Sequence, residues 1–207
     1  MAQQAAFWDG IAARYAARPI DDPDAYAATL ERARAHLQPG DRAVELGAGT
    51  GATAVALAPS VAEYRATDLS PKMVEIARAR PEAAELAPLT FDAAPAREAL
   101  AGGPWDAVLA FNLLHLLDDL PATLAEIREA LAPGGRLISK TPCLADLGLW
   151  LRVVVPAMQL VGKAPPVRFV SATGLEREIA RAGLEIVETG DYPAARAQRL
   201  VIARRPG

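Results

Sequence analysis

Apolar and polar positions along the chain repeat in blocks that predict helices alternating with strands. Five short apolar runs, each followed by a segment of helical length, have the pattern of buried strands. A helical pattern and two further strand patterns, joined by only a short segment, complete the chain. This order predicts an α/β fold with a doubly wound, mostly parallel seven-stranded sheet that ends in an antiparallel hairpin. The predicted strands lie near 42–48, 63–68, 88–92, 105–111, 135–140, 184–189 and 199–204.

The 207 residues suit a single domain, since they suffice for one full apolar core. Two helical patterns, near 3–17 and 24–37, precede the first strand and predict an N-terminal helical cap over residues 1–38. One segment, 144–169, is apolar without strand alternation and reads as a helical insertion after the fifth strand. Arg152, Pro156 and Gln159 interrupt it, which argues against a membrane-spanning helix. Three interpretations stay open for this segment: a lid over the substrate, a homodimer interface, or a helix at a membrane surface.

The first predicted strand ends in the most informative motif of the chain, Glu45-Leu46-Gly47-Ala48-Gly49-Thr50-Gly51. Glycines at alternate positions let the backbone turn sharply and remove the Cβ atoms that would hold a ligand away from it. The following helix presents free N–H groups toward this loop. The motif therefore predicts a cofactor-binding loop.

An acid at the end of the second strand indicates which kind of cofactor the loop holds. Asp68 stands 17 residues after Gly51, at the position from which an acid accepts hydrogen bonds from ribose hydroxyls. The next helix has a better cap in Ser70, which precedes Pro71, so Asp68 is free to serve the ligand. The glycine spacing is GxGxG rather than GxGxxG, and the acid Glu45 within the strand is not needed for a pyrophosphate.

These residues resemble the first motif of the class I S-adenosylmethionine-dependent methyltransferases, an acid followed by GxGxG. The resemblance continues in family order over about residues 40–140. It implies the Rossmann-like methyltransferase fold, S-adenosylmethionine as the cofactor with S-adenosylhomocysteine as the product, and a small-molecule acceptor. The other matching stretches are 67–73, Phe91-Asp92-Ala93, 105–112 and 131–137.

The resemblance also implies roles for individual residues. Asp68 is the ribose acid, Leu69 and Met73 lie near the adenine, and Asp92 in its third-strand motif with Ala93 receives the adenine amino group. Asn112 positions the methionine end, and Tyr15 on the first helix either folds over the cofactor or packs that helix onto the sheet. The implied cofactor-binding set is Tyr15, Glu45, Gly47, Ala48, Gly49, Gly51, Asp68, Leu69, Met73, Asp92, Ala93 and Asn112.

His115 is the candidate catalytic residue, because it follows the fourth strand at the edge where open parallel sheets bind ligands. A histidine there has a pKa suited to a general base. The alternative is a packed histidine that only shapes the pocket. Methyl transfer from a sulfonium requires no metal, and the sequence shows no cluster of metal ligands.

Composition limits which partners the protein binds and in which cellular compartment we expect it. A net charge of −3 gives no basic footprint for nucleic acid. A single cysteine, Cys143, and a start without a signal-peptide pattern predict an intracellular, cytoplasmic protein. Two alternative functions stay open at this point: an NAD(P)-dependent oxidoreductase, and a non-catalytic module that binds a nucleoside.

Overall fold

The computed structural model describes residues 2–193 and 197–207, so Met1 and residues 194–196 lie outside it. Helices and strands alternate through most of the chain, as the sequence pattern predicts. The helices are α1 (Ala2–Ala16), α2 (Pro23–Ala35), α3 (Ala52–Leu57), α4 (Pro71–Arg78), α5 (Pro81–Ala84), α6 (Ala96–Leu100), α7 (Leu120–Ala130), α8 (Leu151–Leu160) and α9 (Ala172–Arg181). The strands are β1 (Arg42–Leu46), β2 (Glu63–Asp68), β3 (Leu89–Ala93), β4 (Trp105–Phe111), β5 (Leu131–Pro142), β6 (Glu185–Asp191) and β7 (Gln198–Arg204).

All seven strands form one sheet in the order β3-β2-β1-β4-β5-β7-β6. Strands β1 to β5 are parallel, whereas β7 runs antiparallel to both β5 and β6. The order reverses next to β1, and parallel sheets bind ligands outside the carboxyl ends of the strands at such a reversal. The predicted doubly wound sheet and its antiparallel hairpin are confirmed.

Strand β5 begins four residues earlier than the sequence pattern predicts. Leu131 is buried and pairs with Trp105, and the register then shifts before regular pairing resumes between Ala107 and Arg136. The intervening Pro133-Gly134 forms the irregular part, with Gly134 at a φ of +79°. Hydrophobic alternation detects only the regular part of this strand, which explains the predicted start at 135.

Two apolar clusters cover the two faces of the sheet. One cluster packs α6, α7 and α9 against alternate residues of β1, β4, β5 and β7, with Trp105, Leu124 and Ile179 among its members. The other packs α2, α3 and α4 against the remaining face and includes Tyr64 and Leu109. Both clusters hold the carboxyl ends of the strands in fixed positions, and the candidate site lies at that edge.

The insertion after β5 forms a short 3₁₀ turn at Leu144–Asp146 and then helix α8. None of the residues of α8 is buried. In the part of the chain that the structure describes, α8 and all other helices are too short or too polar to cross a bilayer. The helix therefore packs only loosely on the domain and leaves a large apolar surface uncovered.

Candidate cofactor and acceptor site

The glycine loop adopts a backbone that other residues tolerate poorly. Gly47, Gly49 and Gly51 have φ angles of +67°, +55° and +79°. A Cβ at Gly51 would lie 2.8 Å from Phe91 Cε1, whereas one at Gly49 would lie 3.9 Å from Tyr15 Cε1. All three positions therefore favour glycine, because their backbone is left-handed. At Gly51 a side chain would also collide with Phe91 of β3, whereas at Gly49 the lack of a side chain leaves open space below α1.

Asp68 ties this loop to β2. Its Oδ2 atom accepts a hydrogen bond from Gly49 N at 2.8 Å, and Oδ1 accepts one from Ser70 N at 2.8 Å. Ser70 Oγ caps α4 by accepting from Met73 N at 3.1 Å, as the sequence predicts. Burial raises the pKa of Asp68, although both hydrogen bonds oppose the shift. The carboxyl group thus stands at the loop and leaves the cap of α4 to Ser70.

A cavity of about 570 Å³ opens above the carboxyl ends of β1, β2 and β4. This volume lies in the range of sites for small molecules and cofactors. Seven of the residues that the family resemblance implies for the cofactor line it: Tyr15, Gly47, Gly49, Asp68, Leu69, Met73 and Asn112. The sheet edge therefore brings these residues together from α1, from α4 and from the carboxyl ends of β1, β2 and β4.

Asn112 occupies an unusual backbone conformation at this edge. Its φ is +55°, and its N–H donates to Lys140 O at 2.7 Å. Asparagine is one of the few residues that tolerate the left-handed region, and such residues gather at functional sites. The turn directs the chain after β4 along the cavity, where Leu113 contacts Gly47.

Helix α1 forms a wall of the cavity that the sequence interpretation captured only at Tyr15. Gln4 and Trp8 also line it, at helical spacing from Tyr15. The Trp8 and Tyr15 rings meet edge to face with centroids 6.2 Å apart. Asp9 anchors the helix by accepting hydrogen bonds from Ser70 Oγ and Lys72 N. The spacing of Gln4, Trp8 and Tyr15 on one helix face is the sequence signal for this wall.

The outer wall comes from segments after β3 and β4 that the sequence interpretation also missed. Residues 94–98 lead into α6, and residues 116–119 lead into α7. Three residues of α7 add polar and apolar groups, namely Ala122, Thr123 and Glu126. The rule that ligands bind beyond the carboxyl ends of parallel strands is the signal that points to these segments.

Glu45 lies beneath the loop and does not reach the cavity wall among the described residues. Its side chain is buried, and Tyr64 Oη donates a hydrogen bond to its Oε2 at 2.9 Å. Burial raises the pKa of Glu45 to about 7, and nearby Asp68 adds to the shift. Glu45 is therefore a buried acid that holds its proton more tightly than an exposed glutamate does. Ala48, Gly51 and Ala93 likewise lie outside the lining set of the described chain.

Asp92 stands apart from the cavity, in contrast to the role that the resemblance implies. Its Oδ2 accepts a hydrogen bond from Arg65 Nε at 2.8 Å, and Arg78 lies 3.9 Å from Oδ1. Alternation along β3 places Phe91 against the glycine loop and Asp92 on the opposite face, where Arg65 projects from the neighbouring strand. The structure thus gives Asp92 an ion pair as its contact, and contact with the adenine stays a prediction.

His115 is buried in a short 3₁₀ turn, Leu114–Leu116, and is not among the described residues that line the cavity. Its Nδ1 atom is buried without a hydrogen-bond partner in the described chain. Burial lowers its pKa to about 4, so the imidazole is neutral at pH 7. This placement favours a packed histidine, and the catalytic role stays a prediction.

The parallel sheet, the glycine loop and the acid at the end of β2 are typical of α/β proteins that bind a cofactor containing a nucleoside. A family model described as a methyltransferase domain matches residues 14–189. The chain belongs to this methyltransferase family and is an S-adenosylmethionine-dependent methyltransferase. The oxidoreductase and the non-catalytic module are thereby set aside.

The regions that match this chain in sequence are segments of much larger proteins. A non-reducing polyketide synthase of Aspergillus terreus is 33% identical over 195 residues, which cover 80% of this chain and 6% of that protein. The chain spans only 3% to 7% of the length of the curated relatives it matches.

Solved structures of small methyltransferases share the fold over their whole length. The N-methyltransferase NodS of Bradyrhizobium japonicum has a TM-score of 0.69 at 17% identity, covering 91% of this chain and 100% of its own. An S-adenosylmethionine-dependent methyltransferase of Mesorhizobium loti has a TM-score of 0.69 at 20% identity, covering 87% and 98%.

The cavity suits S-adenosylmethionine in shape and in chemistry. The open side of Gly49 admits a ligand against the backbone, and Asp68 supplies a carboxylate beside it. Leu69 and Met73 add apolar surface beside it. These features match a nucleoside cofactor such as S-adenosylmethionine.

Proposed function

We propose that this methyltransferase acts on a small, partly apolar acceptor that enters the same cavity as the cofactor. The observation that carries the proposal is the composition of the wall beyond Asn112. Phe111, Leu113, Leu116 and Leu117 line it, next to the carboxylate of Asp118. An apolar acceptor would be desolvated by these side chains, and its polar group would be oriented by the few polar residues present.

The proposed cofactor contacts follow from the lining residues. Asp68 would accept hydrogen bonds from the ribose hydroxyls, and Leu69 with Met73 would contact the adenine. Asn112 would position the methionine end, and Tyr15 would cover it from α1. S-adenosylmethionine supplies an activated methyl group on a sulfonium, so the main task of the protein is to hold the acceptor in line with that group.

A proton acceptor is needed only if the acceptor loses a proton during transfer. His115 is the residue proposed for this task, but its burial limits its strength as a base. A neutral imidazole with a pKa of about 4 is available to accept a proton at pH 7 but is a weak base. Transfer by positioning alone is the mechanism if His115 only packs the turn.

The names of the relatives support an acceptor of this class. The curated relatives include polyketide synthases, and one solved structure with the same fold is an N-methyltransferase. We propose no particular nucleophilic atom. A cytoplasmic location, a possible homodimer and a lack of nucleic-acid partners stay predictions.

The test combines binding with a methylation screen. Calorimetry should detect S-adenosylmethionine binding and no comparable binding of NAD, and a panel of small metabolites should reveal a methylated product. Leu117→Asp should raise the Michaelis constant of that acceptor while cofactor affinity stays unchanged, whereas the exposed control Ile20→Asp should change neither. Methylation restricted to macromolecules would contradict the small-molecule acceptor.

A further inference from the structure

Helix α8 presents its apolar face to solvent rather than to the protein. Trp150, Val153, Val154, Met158 and Val161 follow the i, i+3, i+4, i+8, i+11 spacing of one helix face, and all five are exposed. Trp150 is 62% and Val153 74% exposed. Leu149 and Leu160 extend this surface at the two ends of the helix. We call these seven residues the outer apolar face.

The opposite side of α8 faces the domain. Leu151, Val155 and Gln159 are partly buried, and Gln159 Nε2 donates to Pro165 O at 2.9 Å. This hydrogen bond joins α8 to the segment that follows it, and the partly buried residues give the side of the helix that faces the domain. The outer apolar face points away from the domain in this arrangement, so the domain itself does not cover it.

The charged side chains of the insertion itself have one sign. Between Asp146 and Glu176 the sequence contains Arg152, Lys163 and Arg168 and no acidic residue, although the whole chain carries a net charge of −3. A cationic border beside an exposed tryptophan and aliphatic side chains is the composition of helices that lie in the interface of an anionic bilayer. The local charge thus complements a negative surface.

A second copy of the chain would fit this face less well. A two-fold dimer brings the same patch of both subunits together, so it would place two copies each of Arg152 and Lys163 at one interface. The patch between Asp146 and Glu176 offers no acid to pair with them. Like charges brought together at an interface cost affinity.

We propose that α8 is a membrane-surface helix that docks the enzyme on anionic lipid through the outer apolar face. Trp150 and Val153 enter the boundary between headgroups and acyl chains, while Arg152 and Lys163 contact lipid phosphates. This binding is peripheral and reversible, because ten helical residues bury far less apolar area than a spanning segment.

The chain after α8 connects this surface to the cavity. Arg168 N donates to His115 O at 2.7 Å, and Arg168 Nη1 donates to Asp118 O at 3.2 Å. Asp118 lines the cavity, so the return segment of the insertion is hydrogen-bonded to the cavity wall. A docked α8 therefore holds the cavity near the lipid surface, which suits delivery of an apolar acceptor.

Vesicle co-sedimentation tests the proposal without cofactor or acceptor. The full chain should bind vesicles of phosphatidylcholine and phosphatidylglycerol and bind vesicles of phosphatidylcholine alone much more weakly. Val153→Asp should weaken binding by more than about tenfold, because it replaces a side chain that enters the apolar layer. The matched control is Val187→Asp, an exposed valine on β6, which should bind as the wild type does.

A second variant separates the charges from the apolar contact. Arg152→Gln with Lys163→Gln should weaken binding to the anionic vesicles by about 30-fold, at about fivefold for each cation near the surface. The emission of Trp150 should shift to the blue on vesicle binding, and the shift should persist in Trp8→Phe but disappear in Trp150→Phe. Equal binding to both vesicle types would overturn the proposal. A lack of binding to either vesicle type would overturn it too, and a dimer that Val153→Asp dissociates would then assign the outer apolar face to a second copy of the chain.

Discussion

The glycine-loop edge and the α8 insertion use apolar residues in opposite ways. At the loop, Gly51 packs against Phe91 and Ala77 so tightly that no Cβ fits. On α8, Val153 and Trp150 lie in solvent although the helix is mostly apolar. The first region is specified by contacts within the chain. The apolar residues of α8 have no such contacts, and we propose that they contact a membrane instead. Residues whose identity is set by packing within the fold thus differ from residues whose identity is set by a binding partner.

Glycine substitutions give the sharpest contrast between the two regions. Gly51→Ala should lower the free energy of unfolding by about 2 to 5 kcal/mol, because left-handed strain costs about 1–2 kcal/mol and overpacking adds about 1–3. Gly162→Ala, at a similar φ of +68° with open space around it, should cost only the strain, about 1–2 kcal/mol. Urea denaturation measures both. Equal losses would show that the loop is no more tightly packed than the insertion.

Acid titration tests how closed the turn beside the cavity is. The folded pKa of His115 is about 4, below its ordinary value of 6.5, so the unfolded chain takes up a proton that the folded chain excludes. The contribution to stability is complete above pH 6.5 and is lost as the pH falls toward 4, by about 3 kcal/mol. His115→Asn should remove this slope. The readout is the difference in pH dependence between wild type and variant; identical slopes would mean that the ring is open to solvent.

Most of the fold follows from sequence pattern because parallel strands with both faces buried leave a clear apolar signature. The site follows only in part. Gly47, Gly49 and Asp68 are detectable because the glycine loop and the acid at the end of β2 have strict requirements, whereas Asn112 is implied by the family resemblance. Asp92 was placed by motif alone, and the arginine on the neighbouring strand that pairs with it leaves no mark in a linear motif. The uncovered face of α8 is likewise invisible to periodicity, which identifies an apolar face and not its occupant.

Substitution of two acids at neighbouring strand ends, Asp68 and Asp92, distinguishes a residue that contacts the cofactor from one that pairs within the sheet. Asp68→Ala should weaken binding of S-adenosylmethionine by about 1.5 to 3 kcal/mol, or roughly ten- to a hundredfold, because it removes hydrogen bonds to a charged group. Asp92→Ala should leave the affinity nearly unchanged, since its carboxylate contacts Arg65. Calorimetry measures both. A loss at Asp92 equal to that at Asp68 would restore the adenine contact that the sequence motif implies.

Removal of the outer apolar face should have the smallest effect on cofactor binding. Replacing residues 149–161 by a Gly-Ser linker leaves the cavity walls intact, because no described residue of 144–169 lines the cavity. Affinity for S-adenosylmethionine should stay within about twofold of the wild type, as for surface changes in general. If the segment is instead a lid, the Michaelis constant of the acceptor should rise in detergent-free solution without lipid.

The hydrogen bonds of the glycine loop have a consequence for the energetics of ligand capture. Ala48 N donates to Thr67 O at 2.8 Å, Gly51 N donates to Ala48 O at 3.0 Å, and Gly49 N donates to Asp68. The loop is thus already ordered by strand β2 when the protein folds. Its conformational entropy is lost at that stage and not when the nucleoside arrives, so the binding free energy is not reduced by ordering of the loop. Because one carboxylate and one neighbouring strand already hold the backbone, we expect the loop to keep this conformation when the cofactor binds.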